Sequence, residues 1–224
     1  EVEGLFFSIM DLIKKAFPIQ KKGIFTEWSL GEKTELDVDQ TLRKIQQKQP
    51  DMQVGIYPSL GTLRICLSSF KEKAEAKKSM DFSKKALEEL YGTYVFSKTQ
   101  ESLEEALQKT FIEKGLKLAV VESCTGGAIA EALTQIPGAS KYFLGSIVAY
   151  SNACKRQFLS IDPKELKLYG AVSKEVALSM ATSLKRISEA DYTIAVSGIA
   201  GPSGGTEKKP VGTVAVAIAG PSGI

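Results

Sequence analysis

From residue 102 onward, short apolar runs alternate with segments of helical period, and that alternation narrows the possible folds more than any other feature of the chain. Leu103, Leu107, Phe111 and Ile112 fall on one face of a helix. Leu116–Val121 follows as a buried strand, then a helix with Ile129, Ala132 and Leu133 inward, then Phe143–Tyr150 as a second strand. Ser173 caps a long helix bearing Val176, Met180, Leu184 and Ile187, and Tyr192–Val196 and Gly212–Ala219 complete the strands. Strands alternating with helices of this length predict a layered α/β/α domain over 102–224.

The first hundred residues read differently. Leu5, Ile9, Leu12 and Ala16 give Glu3–Phe17 a helical period that Pro18 ends. Gly23–Trp28 reads as a strand, and Asp37–Lys48 as a helix with Val38, Leu42 and Ile45 on one face. Val54–Tyr57 and Thr62–Leu67 form a hairpin through Pro58-Ser59-Leu60-Gly61. Residues 21–71 are therefore expected to make a small α+β module. Lys71–Leu90 is a charged helix with Phe82, Ala86 and Leu90 as a thin apolar seam, a composition suited to a connector over 72–101.

Composition sharpens what chemistry is open to such a chain. None of its 224 residues is histidine, which removes Ser-His-Asp and Cys-His catalysis, His-ligated zinc and an imidazole switch. Any catalysis falls to Ser, Thr, Cys, Lys, Tyr, Asp or Glu. The formal charge of +3, with no Lys/Arg stripe interleaved with aromatics, argues against nucleic acid as a partner. Residues 1–110 carry 17 basic and 17 acidic groups and the rest 12 and 9, a slight lean toward an anionic ligand that surface lysines explain equally well. Cys66, Cys124 and Cys154 are odd in number and unpaired in spacing, so neither a disulfide framework nor a zinc ribbon is indicated. No apolar run approaches the roughly 18 residues of a membrane span, and no signal peptide opens the chain; a cytoplasmic protein is expected.

Three segments at strand ends carry groups able to do chemistry. Glu122-Ser123-Cys124-Thr125-Gly126-Gly127 lies between a strand and a helix, where ligands gather and backbone N–H groups are offered. Ser123 there suits a nucleophile beside an oxyanion clamp from the N–H groups of Cys124 to Gly126, although Ser123 or Thr125 equally suits a plain helix cap. Tyr150-Ser151-Asn152-Ala153-Cys154-Lys155 ends the next strand and supplies the base. Lys155 must lose its charge to act near neutral pH, which burial can achieve, and a surface lysine is the competing reading. The loop Ser197–Thr206 is rich in glycine, including Gly198 and Gly201, and could cradle phosphate or simply be a surface loop; it lacks the lysine of a nucleotide P-loop. Cys124 and Cys154 read as packing residues.

Taken together these segments resemble the carboxy-terminal domain of the competence/damage-inducible CinA family. The matching stretches are ESCTGG at 122–127, PGAS at 137–140, YSNACK at 150–155, GAVS at 170–173, SGIAGPSGGT at 197–206 and KPVGTV at 209–214. The resemblance implies an amidohydrolase converting nicotinamide mononucleotide to nicotinic acid mononucleotide and ammonia. It makes Ser123 the nucleophile, Lys155 the general base and Tyr150 a group that orients or relays the proton. It places substrate contacts at Thr125, Gly126, Gly127, Ser197, Gly198 and Gly201, with Ser197 where the family usually has Thr. No metal or cofactor is implied, and a homodimer is. The segment 21–71 resembles, more weakly, the family's KH-type module, though it has no GXXG loop. Residues 1–20 resemble the tail of a molybdopterin-binding-like domain. The family pattern runs on past residue 224 with a strand, a helix and an active-site Arg, which makes 102–224 an incomplete domain on this reading and leaves an exposed sheet edge. A catalytically silent binding or assembly protein of the same family is the alternative.

Overall fold

A computed structural model describes residues 23–59, 61–221 and 223, together with 9, 12, 13 and 16. The helix expected over Glu3–Phe17, and with it the tail assigned to 1–20, lies outside the described residues except at Ile9, Leu12, Ile13 and Ala16, which are helical and exposed. The chain divides into two compact units, 1–102 and 103–224.

In the first unit, β1 (Ile24–Gly31), α1 (Glu35–Lys48), β2 (Gln53–Ser59), β3 (Thr62–Ser69), α2 (Lys73–Tyr91) and β4 (Val95–Ser97) follow in that order. The strands lie β2-β3-β1-β4, each antiparallel to its neighbour. This βαββαβ order is the split βαβ, ferredoxin-like topology. The helix α2 and strand β4, expected as a connector, are integral to this unit: β4 pairs with β1, and α2 buries a face against the sheet. Thr34 opens α1 with a capping box: its backbone N–H donates to Asp37 Oδ2 (2.7 Å) while its Oγ1 accepts from Asp37 N–H (3.4 Å). The hairpin pairs Ser59 with Thr62, and Pro58 sits in the edge strand β2 where a missing N–H costs no interior bond.

Helix α2 buries a different face from the one expected. Ala76, Ser79, Met80, Ser83, Leu87 and Tyr91 point inward, whereas Phe82 and Leu90 are exposed. The two serines disguise the face in sequence. They are small enough to let α2 approach the sheet, and Ser83 satisfies its hydroxyl by donating to the Ser79 carbonyl (2.9 Å). Tyr91 reaches α1, its hydroxyl 2.8 Å from Thr41 Oγ1.

The second unit holds α3 (Leu103–Glu113), β5 (Leu118–Glu122), α4 (Ala128–Thr134), β6 (Phe143–Val148), α5 (Asn152–Leu159), α6 (Pro163–Tyr169), α7 (Lys174–Ser188), β7 (Tyr192–Gly198) and β8 (Val214–Ala219). Strand order is β6-β5-β7-β8, with β5 parallel to β6 and β7, and β8 antiparallel to β7. Alternation along β5 assigns the layers. Leu118 and Val120 face Phe111, Leu133 and Tyr142 on the α3/α4 side. Ala119 and Val121 face Leu159, Val176, Met180 and Leu184 on the α5–α7 side. The α/β layering expected over 102–224 is thus present, with helices on both faces of a mostly parallel sheet.

Local details differ from expectation for identifiable reasons. Strand β6 stops at Val148, and Ser151 then caps α5 by accepting from Cys154 N–H (3.1 Å). Neither α5 nor α6 was predicted, since α5 reads as a polar stretch whose inward positions are Lys155 and Leu159. Ser173 caps α7 as expected, accepting from Val176 N–H (3.2 Å), but Ile187 is exposed. The outer strand β8 leaves Val214, Val216 and Ile218 about half exposed. Among the described residues, no helix is long and apolar enough to cross a membrane.

The reassigned face of α2 is tested by paired truncations. Leu87→Ala should cost about 2–5 kcal/mol in chemical denaturation, whereas Leu90→Ala should stay within about 0.5 kcal/mol. Equal effects would contradict this packing.

Candidate active site

The site grows from the way β5 and β6 hand over to their helices. After β5 the chain passes to α4 on one face of the sheet; after β6 it passes to α5 on the other. Adjacent parallel strands that diverge in this way leave a crevice at their carboxyl ends, the usual place for a ligand in such sheets. Ser123 directly follows β5, and Lys155 lies one turn into the helix that follows β6.

The two side chains meet. Lys155 Nζ is 2.8 Å from Ser123 Oγ, 2.8 Å from the Ala149 carbonyl oxygen and 3.3 Å from the Tyr150 carbonyl oxygen. Lys155 is 1% exposed and Ser123 6%, so the surface-lysine reading is excluded. No salt bridge to Lys155 exists among the described residues. Burial pushes its amine below the ordinary value of 10.5, with the neighbouring Cys124 and Cys154 thiols opposing that push. As arranged, Nζ donates to all three oxygens; once deprotonated, it can keep two N–H groups on the carbonyls and turn its lone pair to the Ser123 hydroxyl.

Ser123 is not a helix cap. The cap position of α4 is Gly127, in the left-handed region at φ +112°, preceded by Gly126 at φ +62°. Those two glycines let the chain turn sharply from Ser123 into the helix. The capping work is done by Glu122, a residue to which no role was assigned from sequence. It is fully buried, and its carboxylate accepts from the N–H groups of Gly127 (3.0 Å), Ile129 (3.1 Å) and Ala130 (2.9 Å) and from the Ser146 hydroxyl (3.3 Å). Burial alone would raise its pKa, but the neighbouring Thr125 hydroxyl and the N–H groups of Ala130, Ile129 and Gly127 hold it below the usual glutamate value.

The oxyanion clamp is consequently narrower than expected. Gly126 N–H is engaged by the Ser123 carbonyl (3.1 Å) and Gly127 N–H by Glu122. For the N–H groups of Cys124 and Thr125, the two residues after Ser123, there is no hydrogen-bond partner among the described residues.

Other expected site residues take different parts. Tyr150 contributes its carbonyl to Lys155, while its side chain is 66% exposed, so a proton relay through its hydroxyl is not supported by the geometry. Ser197 is buried, and its hydroxyl donates to the Ala171 carbonyl (2.7 Å), tying β7 to the 170–173 turn. Gly198 is needed for closeness: a Cβ there would meet Cys124 Sγ at 2.7 Å and the Thr213 carbonyl at 3.0 Å. Gly201 lies in the following loop, whose far end is fixed by Lys209 Nζ donating to the carbonyls of Tyr169 (2.9 Å) and Val172 (2.7 Å). Cys154 packs on the α5–α7 core. Cys66, in the other unit, has its thiol pushed up to about 11 by burial and by Glu27, which makes it a poor nucleophile.

Known proteins share this arrangement of sequence and fold. The family model described as the CinA C-terminal domain matches residues 100–224. A CinA-like protein of Prochlorococcus marinus subsp. pastoris is 40% identical over 195 residues, which cover 87% of this chain and 44% of that protein. A CinA-like protein of Pseudothermotoga lettingae is 48% identical over 160 residues, 71% of this chain and 39% of that one. The chain thus spans about two fifths of the length of these relatives. Among solved structures, a competence/damage inducible protein of Agrobacterium tumefaciens matches with TM-score 0.53 and 42% identity, over 55% of this chain and 74% of its own. A competence-damaged protein (CinA) superfamily member of Escherichia coli matches with TM-score 0.51 and 38% identity, over 54% and 70%. On the extent of the family match and the closeness of these relatives, the chain belongs to the CinA C-terminal domain family.

Proposed function

We propose that unit 103–224 hydrolyses the carboxamide of nicotinamide mononucleotide, giving nicotinic acid mononucleotide and ammonia through an acyl-enzyme on Ser123. The observation that carries this reading is the buried contact of 2.8 Å between Ser123 Oγ and Lys155 Nζ. A serine is a weak nucleophile until a base takes its proton, and with no histidine in the chain a desolvated lysine is the base at hand.

In the proposed reaction the Lys155 lone pair receives the Ser123 proton as Oγ attacks the carboxamide carbon. The oxyanion that forms accepts hydrogen bonds from the N–H groups of Cys124 and Thr125. Collapse breaks the C–N bond, and the Lys155 ammonium returns its proton to the departing nitrogen, releasing ammonia. Water activated by the again-neutral Lys155 then cleaves the ester and restores Ser123. The exposed Tyr150 ring offers a surface for the pyridinium. The Glu122 carboxylate at the start of α4 disfavours a phosphate there, which leaves the loop from Gly198 to Thr206 as its seat.

Ammonia release from nicotinamide mononucleotide tests the reading directly. The wild-type chain should turn over, while Ser123→Ala and Lys155→Ala should each lose at least about 10³-fold in kcat. A folded wild type without turnover would leave the silent binding protein as the better reading, and activity persisting in Ser123→Ala would remove the assigned nucleophile.

A second measurement concerns charge. Because folding lowers the Lys155 pKa, the folded chain binds fewer protons than the unfolded one between that lowered value and the ordinary 10.5, and stability rises with pH across the window. Below the window the full cost of a buried ammonium is present. Lys155→Met has no such group, so its stability relative to wild type should improve as pH falls, read by denaturant titration at several pH values. A difference independent of pH would show that the amine titrates normally.

A further inference from the structure

Glu122 stands one residue before the nucleophile, fully buried, and its contacts reach each element that forms the site. Its carboxylate holds three N–H groups of the α4 amino end and the Ser146 hydroxyl of β6. Its own backbone carbonyl accepts from Ala149 N–H (2.8 Å), and the Ala149 carbonyl in turn accepts from Lys155 Nζ (2.8 Å). A single residue therefore connects, through two hydrogen bonds, to the base, and through the next peptide to the nucleophile. Burying a carboxylate is costly unless its hydrogen bonds are met, and here backbone N–H groups and the Ser146 hydroxyl meet it. A plain apolar residue at the end of β5 would fill the same space without that requirement, as Val120 and Val121 do just before it.

Resting on the amidase reading above, we propose that Glu122 is a positioning residue: its carboxylate locks the Ser123 turn to α4 and to β6, so that Ser123 Oγ is held at hydrogen-bond distance from Lys155 and the N–H groups of Cys124 and Thr125 stay free for the oxyanion. The carboxylate also occupies the positive end of α4. That end would otherwise compete with the two free N–H groups for a developing negative charge. Glutamine at 122 keeps the size but turns an NH₂ toward backbone donors, so the turn must shift to relieve it. A misplacement of about an ångström at reacting atoms is enough to cost on the order of 10²-fold in rate.

The test uses two readouts on the full chain: turnover of nicotinamide mononucleotide, and the rate at which a small fluorophosphonate labels Ser123, followed by mass spectrometry. Glu122→Gln should remain folded by circular dichroism, lose about 10- to 100-fold in kcat, keep KM within about twofold, and label more slowly in proportion. Wild-type kcat and labelling in folded Glu122→Gln would overturn the proposal, as would a loss of kcat that only matches the fraction unfolded, or a rise in KM with kcat retained. Should Glu122→Gln fail to fold, Ser146→Ala removes one donor and should lower kcat roughly two- to tenfold with KM unchanged; an unaltered kcat would then overturn it. If wild type labels at Ser123 but does not turn over the nucleotide, the substrate reading fails and the labelling comparison alone decides the role of Glu122. Absence of wild-type labelling overturns both, since no activated serine would exist to be positioned.

Discussion

The constraint on which this structure rests is the burial of one amine among oxygens that carry no formal charge. Lys155 sits inside the second unit with two backbone carbonyls and a hydroxyl about it and no carboxylate ion-paired to it among the described residues. Ion pairing would keep the ammonium charged; desolvation alone favours the neutral amine. Arginine could not substitute at this place, because its guanidinium stays charged at any accessible pH. The surrounding architecture follows from accommodating such a group. Strand β5 is buried throughout, α5 turns its charged residue inward, and the 148–149 peptide is fixed by the Ala149 N–H donating to the Glu122 carbonyl.

The sheet supplies the distance. Neighbouring parallel strands lie about 4.8 Å apart, so groups carried at the ends of β5 and β6 start within reach of each other. What remains is angular, and three local devices settle it: the left-handed glycines after Thr125, the Glu122 carboxylate at the start of α4, and the Ser151 cap that starts α5 early enough to bring Lys155 back to the crevice. Each is a hydrogen-bonded or stereochemical feature of a few residues, and none draws on the apolar core. The core layers behind them hold the strands; the caps aim the chemistry.

The sequence makes some of this legible and hides the rest for physical reasons. The α/β layering shows because β5, β7 and α7 carry their apolar residues at the right periods. Ser123 and Lys155 stand out because each follows a strand in a chain without histidine. Helix α5 is concealed because its inward stripe begins with a lysine, and the buried face of α2 because serines stand in it. The role of Glu122 is invisible because most of its partners are backbone groups, which no side-chain pattern records. The same holds for the Tyr150 carbonyl and for the engagement of Gly126 N–H. Ser197 shows a hydroxyl but not its acceptor, 26 residues away at Ala171.

The loop between β7 and β8 has two fixed feet and a free span. Gly198 is pressed against Cys124, and Lys209 grips the 169–172 turn, whereas residues 202–208 are exposed throughout. Over evolutionary time the two feet admit little change, since a single methyl at one or a lost charge at the other disturbs the wall beside the serine. The span between them can lengthen, shorten or drift in composition at small cost in stability. Divergence among descendants of this chain should therefore concentrate in that short stretch, where new contacts can be tried without touching the chemistry beneath.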